Sequence, residues 1–172
     1  LKGRRRPLEL FLDDFHQHIP NRVPGTAVYL YSSPEGTPPS LLHNIKHNRA
    51  LHERVVLLTV VYHETPVVDE ETRIEVTDLG YQVYRLVLNF GFAEDPDIPE
   101  ALARVEVGGD GFNLMETSFF LSREQLIVTD RPGMWKWRKQ LFAFMSRAAA
   151  GAFSFFGLPP GRVVELGLQL EM

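Results

Sequence analysis

Val23-Pro24-Gly25-Thr26-Ala27-Val28-Tyr29-Leu30, then Leu41-Leu42-His43-Asn44-Ile45-Lys46-His47-Asn48-Arg49-Ala50-Leu51-His52-Glu53-Arg54, then Val55-Val56-Leu57-Leu58-Thr59-Val60: these three runs decide the fold. Residues 25–31 are a compact strand candidate. The loop Ser32-Ser33-Pro34-Glu35-Gly36-Thr37-Pro38-Pro39 is dense in turn formers, and Ser40 is placed to cap a helix. That helix is expected over about 41–52, bringing Leu42, Ile45 and Arg49 near one another, with Leu41 and Leu51 filling the buried side. Residues 55–62 form an unbroken apolar, β-branched run, which suits a central strand covered on both faces. Strand, helix, strand in that order predicts a right-handed parallel crossover, the unit of an α/β sheet.

Working outward, Arg73-Ile74-Glu75-Val76-Thr77 alternates and Asp78-Leu79-Gly80 turns. Tyr84, Leu86, Leu88 and Phe90 then share one face on the return, so a β-hairpin is expected. Asp97-Ile98-Pro99-Glu100 carries the signals of a helix start: a capping Asp, Pro in the first turn and Glu at the capping-box position. Gly108-Gly109-Asp110-Gly111 is a turn without phosphate-loop spacing. Strands are expected at 117–121, at 125–129 as a short partner, and at 162–172. Toward the N-terminus, Leu8, Phe11, Leu12 and Phe15 make one apolar face of a short helix over 7–18, which Pro20 and Pro24 stop. A longer helix over about 134–150 places Lys136, Lys139 and Arg147 on one face and Trp135, Phe142 and Met145 toward another. Such a helix packs its apolar side on a sheet or lies on a membrane surface. The fold class is therefore α/β: a single domain with a mixed, mostly central β-sheet flanked by helices and including a hairpin.

Composition narrows the function classes. A chain of 172 residues, 44% hydrophobic and 23% charged, has the make-up of one soluble domain with a real core. A net charge of -4 argues against a general nucleic-acid binder. The absence of cysteine excludes disulfides, thiolate metal sites and cysteine nucleophiles. Residues 141–158 are the most apolar segment, but Ser146, Arg147, Gly151 and Ser154 interrupt it, so no membrane-spanning helix is expected. Lys2, Arg4, Arg5 and Arg6 form a basic N-terminal cluster, either a solvated terminus or the cytoplasmic end of a membrane segment attracted to anionic lipid.

The residues that could carry chemistry are few. His43 and His47 share a helical face at i, i+4, as in zinc-binding helices. Asn44 stands where a zinc protease needs Glu, and no third ligand has matching spacing, so no metal is assigned. Asn44 and Asn48 on the same helix favour polar-face histidines, or hydrogen bonding at a subunit or domain contact. His52-Glu53-Arg54 is expected at the helix-to-strand turn, and the ligand rule for open α/β sheets would put that corner beside the strand C-termini, with a pocket near the ends of the strands at 25–31 and 55–62. A phosphate-bearing ligand would look to Arg22, Arg49, Arg54 and Arg162. Ser118 and Ser122 lack a nucleophile elbow, and Glu53, Glu116, Glu165 and Glu171 are scattered, so no enzyme and no cofactor are expected.

Several motifs occur together in order: Val23-Pro24-Gly25-Thr26-Ala27-Val28; Leu42-His43-Asn44-Ile45-Lys46-His47-Asn48 with Leu51-His52-Glu53-Arg54-Val55; Phe90-Gly91-Phe92. Pro96-Asp97-Ile98-Pro99-Glu100-Ala101-Leu102, Met115-Glu116-Thr117-Ser118-Phe119-Phe120 and Arg162-Val163-Val164-Glu165-Leu166-Gly167 come after them. From about Val23 to Met172 the chain thus resembles the soluble C-terminal domain of the KUP/HAK/KT potassium uptake permeases. It departs in Phe90, where Tyr is usual, and in the Ala- and Phe-rich 146–158 segment. The resemblance implies residues 1–22 as a juxtamembrane basic segment with a short amphipathic helix, and 23–172 as the soluble domain. It implies an N-terminal transmembrane partner holding the acidic ion pathway of a proton-coupled potassium symporter. The domain would lie on the cytoplasmic side of the inner (plasma) membrane and act as a regulatory homodimer, with Lys2, Arg4, Arg5 and Arg6 against the membrane surface. The alternative is a nucleotide-sensing module, for example for a cyclic dinucleotide, with Arg22, His43, His47, Arg49, His52 and Arg54 as ligand candidates.

Overall fold

The structure, a computed structural model, describes residues 21–124 and 156–168. Its elements are β1 (Asn21–Leu30), α1 (Pro39–Asn48), β2 (Ala50–His63), α2 (Glu70–Arg73), β3 (Ile74–Asp78), β4 (Val83–Gly91), α3 (Ile98–Ala103), β5 (Thr117–Glu124) and β6 (Val163–Leu168), with single 3-10 turns at Leu114–Glu116 and Pro160–Arg162. The six strands form one sheet in the order β3-β4-β2-β1-β5-β6. Every neighbouring pair is parallel except the β3–β4 hairpin. This is the expected α/β domain with a mixed sheet and a hairpin.

Period-two alternation sorts the apolar residues onto two faces. Val28, Val56, Leu58, Leu86, Leu88, Phe119 and Leu121 point to the face covered by Ile98, Ala101 and Leu102 of α3 and by Leu158. Ala27, Tyr29, Val55, Leu57, Val83 and Phe120 point to the face covered by Leu41 of α1, with Ile45 packed at its side. Leu58, Tyr29 and Phe119 are wholly buried, and burying a side chain of that size contributes about 2–3 kcal/mol. That two-sided cover explains why 55–58 is continuously apolar. α3 begins as the sequence requires: the Asp97 carboxylate accepts from the Glu100 N–H at 2.8 Å, with Pro in the first turn. The hairpin closes through Asp78, which accepts from the Gly80 N–H.

Pro24 does not end a segment; it lies inside β1, at a register shift between Val23 and Thr26. A bulge is where a strand tolerates proline. Gly25 completes it with φ +101, and a Cβ there would sit 2.7 Å from the Glu116 carbonyl oxygen.

Three local expectations are corrected. α1 ends at Asn48 instead of about 52, because Arg49 adopts the left-handed conformation (φ 49, ψ 32) and stops the helix, so His52, Glu53 and Arg54 lie within β2. The buried stripe of α1 runs through Ser40, Leu41 and Asn44, whereas Leu42 is 42% exposed. Ser40 sits one residue inside the first turn, and Pro38 holds the N-cap position. The helices expected over 7–18 and 134–150, the strand at 125–129, most of the apolar 141–158 segment and the cluster Lys2, Arg4, Arg5 and Arg6 lie outside the described residues. Among the described residues no helix is long and apolar enough to cross a membrane.

Candidate functional site

The α1–β2 corner is held by one asparagine. Asn44 donates to the Tyr29 hydroxyl at 3.0 Å and to the Ala50 carbonyl at 3.1 Å, and accepts from Asn48 at 2.6 Å. Tyr29 stacks on Phe120 with ring centroids 4.7 Å apart. Burial pushes the Tyr29 hydroxyl pKa up, more than the Asn44 hydrogen bond lowers it. The two asparagines therefore act within the domain, tying helix to sheet.

The candidate arginines do not converge. Arg54 donates from Nε to the Thr26 hydroxyl at 2.9 Å and from its terminal nitrogens to the carbonyls of Val107, Asp110 and Gly111 at 2.9–3.1 Å. Its guanidinium also lies over Phe112, 4.9 Å from the ring centroid. Four of five donors are thus engaged, and Arg54 staples the 107–111 turn to the two central strands. Arg22 donates to the carbonyls of His52 at 3.0 Å and Tyr81 at 3.1 Å. Arg49 caps α1 through its backbone, and Arg162 closes the turn before β6. His52 packs edge-on to Phe120 at 6.0 Å, and burial pushes its pKa below the ordinary value. His43 and His47 do meet, with ring centroids 4.3 Å apart. Among the described residues no group of three metal-ligating side chains exists to extend that pair.

Their placement also corrects the corner. β1 and β2 run parallel with Val23 beside His52 and Thr26 beside Arg54, so this cluster lies at the N-terminal edge of the sheet. The strand order reverses between β1 and β5, and the ligand rule points to the opposite, C-terminal edge.

At that C-terminal edge lies a charged assembly that no sequence motif announced. Glu94 accepts from the amides of Gly91 at 2.6 Å and Val68 at 3.1 Å, and from Arg73 at 2.6 Å. The Arg73 hydrogen bond foremost, then the amides, hold the Glu94 carboxyl down at about 2. Arg73 also donates to Glu70 and to the Val68 carbonyl, and lies over the Phe90 ring. Beside it Asn89, itself buried, donates to the Thr72 carbonyl and Glu75 and meets His63 Nε2 at 2.8 Å. A shallow cleft of about 230 Å3 opens between β4, α2 and α3, lined by Glu70, Glu94, Asp95, Asp97 and Glu100 against Arg73 and Arg104. The available signal was the acidic run after Phe90-Gly91-Phe92; its partner Arg73 is too distant in sequence to be paired with it by spacing.

A family described as the K+ potassium transporter C-terminal domain matches residues 24–172. The chain belongs to that family. Among curated relatives, the probable potassium transport system protein Kup of Myxococcus xanthus is 52% identical over 172 residues, all of this chain and 26% of the relative. Kup 1 of Novosphingobium aromaticivorans is 54% identical over 166 residues, 96% of this chain and 26% of the relative. Kup of Thiobacillus denitrificans is 51% identical over 173 residues, all of this chain and 28% of the relative. This potassium transporter C-terminal domain thus spans about a quarter of the length of the relatives it matches. No solved structure matches it. Within the domain the sequence motifs have physical roles: Pro24-Gly25 makes the bulge, Asn44 and Asn48 lock α1, Arg54 staples a turn, and Gly91 lets two loops touch.

Proposed function

We propose that this chain is the cytoplasmic regulatory and dimerising domain of a potassium transporter, probed best as part of the intact protein. Residues 1–22 are the juxtamembrane connection and 23–172 the domain. The observation that carries this reading is identity of about half, along the whole chain, to one quarter of proteins named as potassium transport systems. The ion pathway, proton-coupled in this reading, then belongs to the remaining three quarters. Lys2, Arg4, Arg5 and Arg6 support the cytoplasmic side, since such clusters accumulate there beside membrane segments. Regulation requires that the domain pack differently against the transporter's alternative states, because only a difference in affinity shifts their populations. No catalytic step is assigned to the domain.

The nucleotide-sensing alternative would draw on Arg22, His43, His47, Arg49, His52 and Arg54, two of which already hold backbone groups. Arg22 donates to the carbonyls of His52 in β2 and of Tyr81, and Arg54 to those of Val107, Asp110 and Gly111, so a phosphate would have to displace those bonds.

The test deletes 24–172 from the intact transporter and measures potassium uptake in cells lacking other uptake systems, with the oligomeric state read by light scattering in detergent. Altered uptake together with loss of the dimer is expected. Unchanged uptake would sink the regulatory role, and a monomer before deletion would sink the dimer.

A further inference from the structure

The loops after β2 and β4 form a rigid tip with two apolar side chains facing solvent. Phe92 is 67% exposed and Val67 62%. The backbone beneath them is fixed: the N–H groups of Phe92 and Ala93 donate to the carbonyls of Thr65 and Pro66 at 3.0 and 3.1 Å. Glu94 clamps Gly91 and Val68 from below. A Cβ at Gly91 would lie 2.2 Å from the Pro66 carbonyl oxygen, so the loops touch as closely as backbones can. An exposed aromatic on a locked backbone loses little conformational freedom on binding, which is how an interface anchor differs from a stray surface residue.

The surroundings state what the anchor fits. Glu64, Asp69, Glu71 and Asp95 are exposed around it, and the adjoining cleft holds five carboxylates against two guanidinium groups, Glu70 and Glu94 pairing with Arg73 and Glu100 with Arg104, which leaves the edge net acidic. Such an edge is repelled by anionic lipid and attracts a cationic protein surface. Cytoplasmic loops next to membrane helices carry an excess of Lys and Arg.

We propose that Phe92 and Val67, with the acidic cleft beside them, dock the domain onto a basic cytoplasmic loop of the transporter's own membrane part. This rests on the transporter reading above. Phe92 and Val67 seat in an apolar socket of that loop, while its cations lie against Asp95, Asp97, Glu100 and Glu70.

The test places a photo-crosslinking benzoylphenylalanine at position 92 of the intact transporter, and in a second variant at Met115. Met115 is 70% exposed but precedes β5, at the opposite edge of the sheet. The expected result is an adduct from position 92 to a Lys- or Arg-bearing loop peptide of the same transporter, absent from position 115. Its yield falls about tenfold in the Glu71→Lys, Asp95→Lys double variant, and it weakens as salt rises from about 0.05 to about 0.5 M. Adducts from position 92 to lipid, to another copy of the domain or to a different protein, or no adduct at all, would overturn the proposal. If deleting 24–172 alters uptake while position 92 gives no loop adduct, the docking tip alone fails. If deletion leaves uptake unchanged, the regulatory reading fails, and the adduct still decides whether the tip docks.

Discussion

Arg54 holds three carbonyls distant in sequence, and Glu94 ties Val68 and Arg73 to its own loop, so each matters beyond its own contacts. Lysine at 54 keeps the charge but has no planar fork, so it cannot reach Thr26, Val107, Asp110 and Gly111 together. Arg54→Lys should lower the unfolding free energy by about 2–3 kcal/mol in chemical denaturation, and speed amide exchange around the 107–111 turn. Glu94→Gln leaves an acceptor but removes the charge that Arg73 and two amides share; a loss of about 2 kcal/mol is expected at neutral pH. The pH dependence comes from the same bonds. Glu94 has a folded pKa of about 2 against 4.5 ordinarily. Its stabilisation is therefore complete above about pH 4.5 and is lost as pH falls toward about 2. Denaturation curves between those limits should show a steeper acid loss for the natural chain than for Glu94→Gln. Neither role could be read from the sequence, because Thr26, Val107, Asp110 and Gly111 lie far from Arg54 along the chain, as Val68 and Arg73 do from Glu94. Asn44 was legible as polar and helical, but its partners Tyr29 and Ala50 become visible only once the helix lies on the sheet.

Among the elements, β2, the hairpin and α3 were readable because each depends on neighbours in sequence: a β-branched run, an alternating return, and Asp97 three residues before Glu100. The end of α1 was not, since nothing local predicts that Arg49 takes a left-handed turn and releases Ala50 into a strand. The error carried His52, Glu53 and Arg54 to the wrong edge of the sheet. Close backbone approach gives the sharpest test at this scale. Gly91→Ala puts a methyl group 2.2 Å from the Pro66 oxygen at the joint between the loops after β2 and β4. It should cost at least about 2 kcal/mol, seen as a lowered thermal midpoint. Gly80→Ala is the contrasting case: no atom lies within 4 Å of its would-be Cβ, and only the positive φ of +82 is strained. It should cost about 1 kcal/mol.

At the scale of the whole molecule, stability is graded across the sheet. β1 and β2 have strands on both sides and buried residues on both faces, whereas every residue of β3 after Ile74 is exposed. Native-state hydrogen exchange should find the slowest amides at 26–29 and 55–58, and the fastest strand amides at 75–78. Equal protection across β3 and β2 would contradict this gradient. The strand order also has a consequence for synthesis. β1, made first of the sheet's described strands, is central, and Thr26 pairs with Thr117 on one side. At roughly 5–20 residues per second on the ribosome, the nascent β1 waits on the order of ten seconds for β5 to emerge. Through that interval its apolar Val28 and Tyr29 border an open seam that any neighbouring nascent chain can enter. β2 is made directly after β1 and can cover its other side early, so among the described strands the gap beside β1 reserved for β5 stays open longest.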